Sequence, residues 1–265
     1  QLIKKKVPFV VFFHGWDLDF EKKVDEKYVK FFLNSLGKAK KIFVLSNDFK
    51  SKLLQWGYNG DIIIETTTVN SDLLAGYQYD QDCKNDKQIK ILFLSRLLKE
   101  KGVYETINAF QNLNKEHPDL QLIIAGDGEE YKNIEKLVQN DTNINMAGYV
   151  VGQEKINLLK DCHIYCLPSY TEGLPISVLE AMAFGLPVIT TRVGGLKDFF
   201  HDGKMGYFVE PKNSKQLEEK LRSLLSDKDQ MATMGMYNFN YANENLLSHQ
   251  VAKRLYKHLE QNLKQ

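Results

Sequence analysis

The stretch Ile164-Tyr165-Cys166-Leu167-Pro168-Ser169-Tyr170-Thr171-Glu172-Gly173-Leu174-Pro175-Ile176-Ser177-Val178-Leu179-Glu180-Ala181-Met182-Ala183-Phe184-Gly185-Leu186-Pro187-Val188-Ile189-Thr190-Thr191 decides the fold. It reads as a short strand, a Gly/Pro loop, an apolar helix and a second strand. A strand–helix–strand unit at this spacing implies parallel strands. Two glutamates interrupt it, Glu172 on the loop at the helix mouth and Glu180 further inside. A carboxylate in such a helix is costly unless a partner satisfies it. Hydroxyls or a cation suit that role, and a ligand could supply the hydroxyls. The alternative is that Glu172 caps the helix dipole and Glu180 pairs internally.

Outward from this unit the alternation continues. Further strands are predicted at Val7–Phe13, Lys41–Leu45, Ile62–Glu65, Lys90–Leu94, Gln121–Ala125, Asn143–Ala147 and Tyr207–Val209. Amphipathic helices are predicted at Val103–Glu116, Tyr131–Gln139, Lys155–Lys160 and Lys215–Ser226, with helical chain from Asp227 and a tail over Leu246–Leu263. The class is α/β, with parallel sheets covered on both faces. The polar, aperiodic run from Tyr77 to Gln88 reads as a linker or long loop, so the strands on either side of it belong to two sheets.

Composition narrows the function. A chain of 265 residues with 43% hydrophobic and 26% charged residues has the material for a full core. Its formal net charge of +1 gives no driving force for a nucleic-acid partner. The longest apolar run, Val7 to Phe13, is too short to cross a bilayer. Cys83, Cys162 and Cys166 fit a reducing compartment better than a disulfide framework. Cys162, His163 and Cys166 are close in sequence but alternate like a buried strand, which favours a structural role over metal binding. Up to Gly60 the chain carries twelve lysines and six acids, a balance of +6, leaving −5 for the remainder. Solvated helix faces account for such lysines, as does a basic patch meeting an anionic membrane surface.

The unusual residues fall where strands end. In open parallel sheets, ligands bind outside the carboxyl ends of the strands. His14-Gly15, Ser95-Arg96, Gly126-Asp127-Gly128, Gly148-Tyr149, Ser169 to Glu172 and Gly194-Gly195 all follow predicted strands. That placement predicts a ligand cleft. Arg96 and Lys101 flank a loop leading into a helix, which suits a diphosphate. Pro175 suits the first position of the following helix, and Gly173-Leu174 offers backbone N–H groups at its mouth. No glycine group has the G-x-G-x-x-G spacing.

Three stretches together carry a resemblance: Phe93-Leu94-Ser95-Arg96 with Lys101-Gly102, Ile124-Ala125-Gly126-Asp127-Gly128, and Ser169 to Thr191 with its E-x7-E pair Glu172 and Glu180. They resemble the retaining glycosyltransferases of family 4, the group 1 glycosyl transferases, whose GT-B architecture has two facing Rossmann-like domains. The resemblance implies a metal-independent hexosyltransferase that uses a nucleotide-sugar donor, with no cofactor, and a saccharide or lipid-linked acceptor. Arg96 and Lys101 would hold the diphosphate and Glu180 the ribose hydroxyls. Glu172, with the amides of Gly173 and Leu174, would meet the transferred sugar, and Pro175 counts with them among the donor-binding residues. Backbone at Tyr149 and Val150 would meet the base, and His14 would lie over the sugar. Capsule or lipopolysaccharide synthesis is the implied setting, in the cytoplasm and at the inner face of the bacterial membrane, with peripheral membrane association.

The expected organisation is residues 1–70 as a remnant of the acceptor-side domain, 71–245 as the donor-binding domain, and 246–265 as a helix packing back on the first part. Two features depart from the family pattern. The first part is shorter than a full Rossmann domain, and Thr66-Thr67-Thr68-Val69-Asn70 stands where a Pro-Asn-Gly-type turn is expected. Three alternatives remain: a donor-binding fragment without turnover, a metal-dependent GT-A enzyme suggested by Asp17-Leu18-Asp19, and a sugar phosphorylase on the same fold.

Overall fold

The computed structural model describes residues 9–14, 26–79 and 88–263. Lys4, Lys5 and Lys6, the Asp17-Leu18-Asp19 triplet, Cys83 and residues 80–87 of the linker lie outside them. Two parallel sheets organise the described chain. The first has three strands in the order β1 (Val10–Phe12), β2 (Lys41–Val44), β3 (Ile62–Ile64). Between them run α1 (Glu26–Leu36) and α2 (Asn47–Gln55). Every residue of β2 is buried, as a middle strand covered on both faces requires. Phe13, Ile42, Val44, Phe49, Leu53 and Ile62 form the core of this part.

The second sheet has six strands: β4 (Lys90–Leu94), β5 (Gln121–Ala125), β6 (Ile144–Gly148), β7 (Ile164–Leu167), β8 (Val188–Thr191) and β9 (Gly206–Val209). Their spatial order is β6-β5-β4-β7-β8-β9. The chain builds outward from β4 to β6, returns to lay β7 on the other flank of β4, and builds outward again. The reversal between β4 and β7 is a topological switch point, where a ligand crevice opens at the carboxyl ends. Helices α3 (Val103–Asn114), α4 (Tyr131–Val138), α5 (Gly152–Asp161), α6 (Ile176–Ala183), α7 (Leu196–Phe199), α8 (Ser214–Ser226) and α9 (Lys228–Asn245) connect and follow the strands. Ile91, Leu92 and Phe93 of β4 and Val178, Leu179 and Met182 of α6 are completely buried in its core.

All nine predicted strands form. The first is described only over Val10–Phe12, and the sixth is displaced by one residue to Ile144–Gly148. The predicted tail helix begins at Ser248, giving α10 (Ser248–Leu263). It starts two residues late because Leu246 and Leu247 serve Val69: Val69 N–H donates to the Leu246 carbonyl and Ser248 N–H to the Val69 carbonyl, each at 2.9 Å. From there α10 reaches the first sheet. Arg254 pairs with Glu65 at 2.7 Å, and the His258 ring meets Phe43 edge-on.

The two sheets also meet at their carboxyl ends. Asn47 N–H, at the start of α2, donates to Asp198 Oδ2 at 2.7 Å, and Lys197 pairs with Asp48 at 2.7 Å. The turn after β8 presses so close that a Cβ on Gly195 would lie 2.5 Å from the Leu45 carbonyl oxygen. The first residues of the predicted linker are anchored, with Tyr77 donating to the Phe184 carbonyl at 3.1 Å. Among the described residues, no helix is long and apolar enough to cross a membrane.

Candidate functional site

Two loops at the switch point are knitted into the floor of a pocket. Ser95 N–H donates to the Ala125 carbonyl, Leu97 N–H to that of Asp127, and Glu130 N–H to that of Leu97. The approach is close enough to demand glycine. Gly126 has φ +140°, and a Cβ there would fall 1.8 Å from the Ser95 carbonyl oxygen. The resulting cavity of about 350 Å³ is lined by Leu94, Ser95, Arg96, the Gly126-Asp127-Gly128 loop, Tyr149 and Val150. Arg96 is exposed at its lip, with no ion-pair partner among the described residues. Tyr149 is 74% exposed and Val150 buried, so the pair forms one wall.

Lys101 closes a single 3₁₀ turn (Lys99–Lys101) ahead of α3. Its Nζ lies 2.7 Å from Glu172 Oε1, which also accepts from Ser169 Oγ at 2.8 Å. Each of the two charged side chains is only 12% exposed. The loop bearing Glu172 is therefore stitched to the α3 entrance. Tyr170 N–H donates to the Glu100 carbonyl at 2.8 Å, and Tyr170 Oη donates to Glu105 at 2.6 Å. Thr191 donates from β8 to the Ser169 carbonyl. Pro175 is corrected by one position: it precedes the first helical residue, Ile176, as the cap, because its backbone, at φ −74° and ψ 109°, is extended and not helical. Gly195 N–H donates to the Gly173 carbonyl at 2.7 Å.

Glu180 is 8% exposed on an otherwise apolar helix, and its compensation is Lys155 Nζ, 2.7 Å from Oε1. Burial pushes the Tyr165 phenol well above its ordinary value, and the charges of Glu180 and Glu172 add to the rise. That phenol donates to the Leu94 carbonyl at 2.8 Å, across the switch point. The internal pairing considered for Glu180 is therefore present, while Glu172 pairs with Lys101 instead of capping a helix.

His14 follows β1, an edge strand of the first sheet. Its ring stacks on Phe12 at 6.3 Å, and the residue is exposed. The structure does not join it by hydrogen bond to Arg96, Lys101 or Glu172. Cys162 and Cys166 are buried. Burial pushes Cys166 up to about 12, and its nearest polar partner is Thr106 Oγ1 at 3.7 Å. His163 Nδ1 accepts from Lys90 N–H at 3.2 Å. Among the described residues, no group of three His, Cys, Asp or Glu is placed to hold a metal ion.

Residues 79–240 match the family described as Glycosyl transferases group 1. The chain belongs to the group 1 glycosyl transferases. It is 30% identical over 239 residues to an uncharacterized glycosyltransferase of Methanocaldococcus jannaschii, a match covering 88% of this chain and 64% of that protein. It is 26% identical over 228 residues to the capsular polysaccharide biosynthesis glycosyltransferase CapM of Staphylococcus aureus, covering 80% and 59%. The chain thus spans less than two thirds of these relatives. Among solved structures, it is similar to Anabaena HepE in complex with UDP and glucose, with TM-score 0.78, 18% identity, and coverage of 98% of this chain and 73% of that one. Sucrose-phosphate synthase from Thermosynechococcus elongatus gives TM-score 0.80 at 20% identity, covering 96% and 68%. The fold is GT-B.

In this group 1 glycosyl transferase, neither Lys155 nor Ser169 carries a signal of its role in the sequence alone. Lys155 was legible only as one more charge on an amphipathic helix. The signal that could have found it is the buried carboxylate itself, which requires a nearby cation or donor. Ser169 stood in the decisive stretch, but its bond to Glu172 depends on how the loop folds back.

Proposed function

We propose that this chain is the donor-binding part of a glycosyltransferase that moves a sugar from a nucleoside-diphosphate sugar to a saccharide or lipid-linked acceptor, with retention of configuration. The observation that carries the reading is the convergence, at one switch point, of the Arg96 pocket, the Lys101–Glu172 pair and the buried Glu180. Residues 71–245 hold the donor, residues 1–70 face the acceptor, and residues 246–265 tie the two. Tyr149 and Val150 meet the base, Glu180 the ribose, and Glu172 with Gly173 and Leu174 the sugar, while Pro175 sets their loop. His14 lies over the sugar from the first sheet.

As the sugar–phosphate bond breaks, negative charge builds on the departing diphosphate. Arg96 and Lys101 stabilise it, and preorganised charge of this kind often contributes more to catalysis than any other effect. An ammonium has three donors, so Lys101 can hold Glu172 and a phosphate oxygen together. The acceptor attacks from the face the diphosphate leaves, and the leaving phosphate takes its proton. Neither metal nor cofactor takes part. The setting is bacterial surface polysaccharide synthesis, at the cytoplasmic face of the membrane.

The test is a calorimetric titration with UDP, GDP and ADP without metal, on the wild type and Glu180→Ala. Binding of one nucleotide that collapses in the variant supports the reading; binding unaffected by the variant removes Glu180 from the site. A second reading, donor binding without turnover, is favoured by the small first sheet, three strands against six among the described residues. Binding without transfer to a broad acceptor panel supports that one.

A further inference from the structure

The Lys155–Glu180 pair joins two parts of the proposed nucleotide site that are far apart in sequence. Glu180 lies on α6, where its neighbours Val178, Leu179, Ala181 and Met182 are completely buried. Lys155 lies on α5, which begins two residues after Val150 in the pocket wall. The ion pair is short, at 2.7 Å, and partly shielded from water, with the lysine side chain 22% and the glutamate 10% exposed. Among the described residues, Lys155 donates to Oε1 and not to Oε2. A carboxylate has acceptor capacity on both oxygens, so Oε2 is left for hydroxyl donors.

We infer that Lys155 is a positioning residue of the nucleotide site, fixing the Glu180 carboxylate so that it reads the ribose diol of a nucleoside diphosphate. This rests on the reading of Glu180 as the ribose-binding carboxylate. Lys155 acts in two ways. It supplies, at 2.7 Å, the cation that a carboxylate set in an apolar helix requires. It also fixes the rotation of the carboxylate, and couples the ribose contact to the helix that extends from the base-facing wall. Discrimination between ribose and deoxyribose thus depends on a lysine that need not touch the nucleotide.

The experiment uses whichever of UDP, GDP and ADP the wild type binds, together with its 2′,3′-dideoxy form, titrated calorimetrically into wild type, Lys155→Met and Lys155→Arg. The wild type is expected to prefer the ribonucleotide by at least about tenfold, the scale of one charged hydrogen bond. Lys155→Met is expected to erase most of that preference by weakening the ribonucleotide alone, and Lys155→Arg to retain it. A lysine with a purely structural role would weaken both nucleotides equally. Should Lys155→Met fail to fold, Lys155→Gln keeps a donor without the charge and carries the same comparison. A Lys155→Met protein that keeps the full ribose preference overturns the inference and leaves the Glu180 reading intact. A wild type with no ribose preference, or with no binding of any of the three nucleotides, overturns both.

Discussion

Lys101 Nζ and Glu172 Oε1 lie 2.7 Å apart, although their residues belong to loops leaving β4 and β7, on the two sides of the switch point. The pair ties the cation proposed for the diphosphate to the carboxylate proposed for the sugar. Ser169 holds the same oxygen from below, and Thr191 holds the Ser169 carbonyl, so the carboxylate rests on a chain of bonds reaching β8.

Substitution at the two ends should give different results. Glu172→Gln retains an acceptor for both Lys101 and Ser169, so its unfolding temperature should move little while turnover falls by about 10²-fold. Lys101→Met strands a nearly buried carboxylate, costing about 1–3 kcal/mol of stability, and weakens nucleotide binding as well. Thermal unfolding beside a transfer assay separates the two. Full turnover by Glu172→Gln would remove that residue from the sugar site.

The glycine floor offers a sharper contrast. A Cβ at Gly126 would collide with the Ser95 carbonyl oxygen at 1.8 Å, whereas one at Gly152 meets nothing within 4 Å; both have positive φ. Gly152→Ala should cost about 1–2 kcal/mol, from backbone conformation alone. Gly126→Ala adds a backbone clash and should exceed about 3 kcal/mol, with loss of the pocket. Urea unfolding and a nucleotide titration check both. Equal costs would show that the approach of the two loops is slack.

The strands were legible because a buried parallel strand must be a short apolar run between turns, and Ile91 to Leu94 or Val188 to Thr191, each bounded by turn residues, leave little choice. Gly126 and Glu180 were legible because each breaks a local rule, one of backbone conformation and one of burial. Partners were not. Lys155 and Glu180 are twenty-five positions apart, and nothing on a helix surface says which distant helix it meets. Asp198 receiving the Asn47 N–H across the two sheets was equally hidden, since Ser46 already caps α2 through Phe49. The start of α10 shifted because Val69 competed for the backbone of Leu246 and Leu247, a tertiary demand with no local trace.

The return of α10 to the first sheet depends on one carboxylate. Glu65 is buried, and Arg254 reaches both its oxygens while also donating to the Asn245 carbonyl at 2.9 Å. Arg254→Met leaves that carboxylate buried without its cation and should cost about 2–4 kcal/mol. Glu65→Gln with Arg254→Met removes both charges and should recover part of the loss. A double-mutant cycle in urea measures the coupling, and additive single costs would mean that the pair does not hold the two parts together.

Alkaline pH should weaken the fold in two stages. Burial pushes the Cys166 thiol from 9.0 up to about 12, and Tyr79, Tyr104 and Tyr170 rise from 10.0 to about 12, also mainly by burial. The folded chain keeps these protons at a pH where the unfolded chain has released them. The unfolded state then binds fewer protons, so stability falls as pH rises. The contribution is complete below about pH 9, begins to fall as the unfolded thiol ionises, and falls faster above about pH 10 as the unfolded tyrosines follow. Cys166→Ser has no thiol to ionise and fits beside Thr106, so its decline should start about one pH unit later. Urea midpoints across this range check the order of the stages. In the native protein Cys166 should resist alkylation at about pH 8 and react once unfolded, because burial withholds its reactive thiolate. Rapid native labelling at Cys166, mapped by mass spectrometry, would mean that β7 opens to solvent, contrary to its complete burial between β4 and β8.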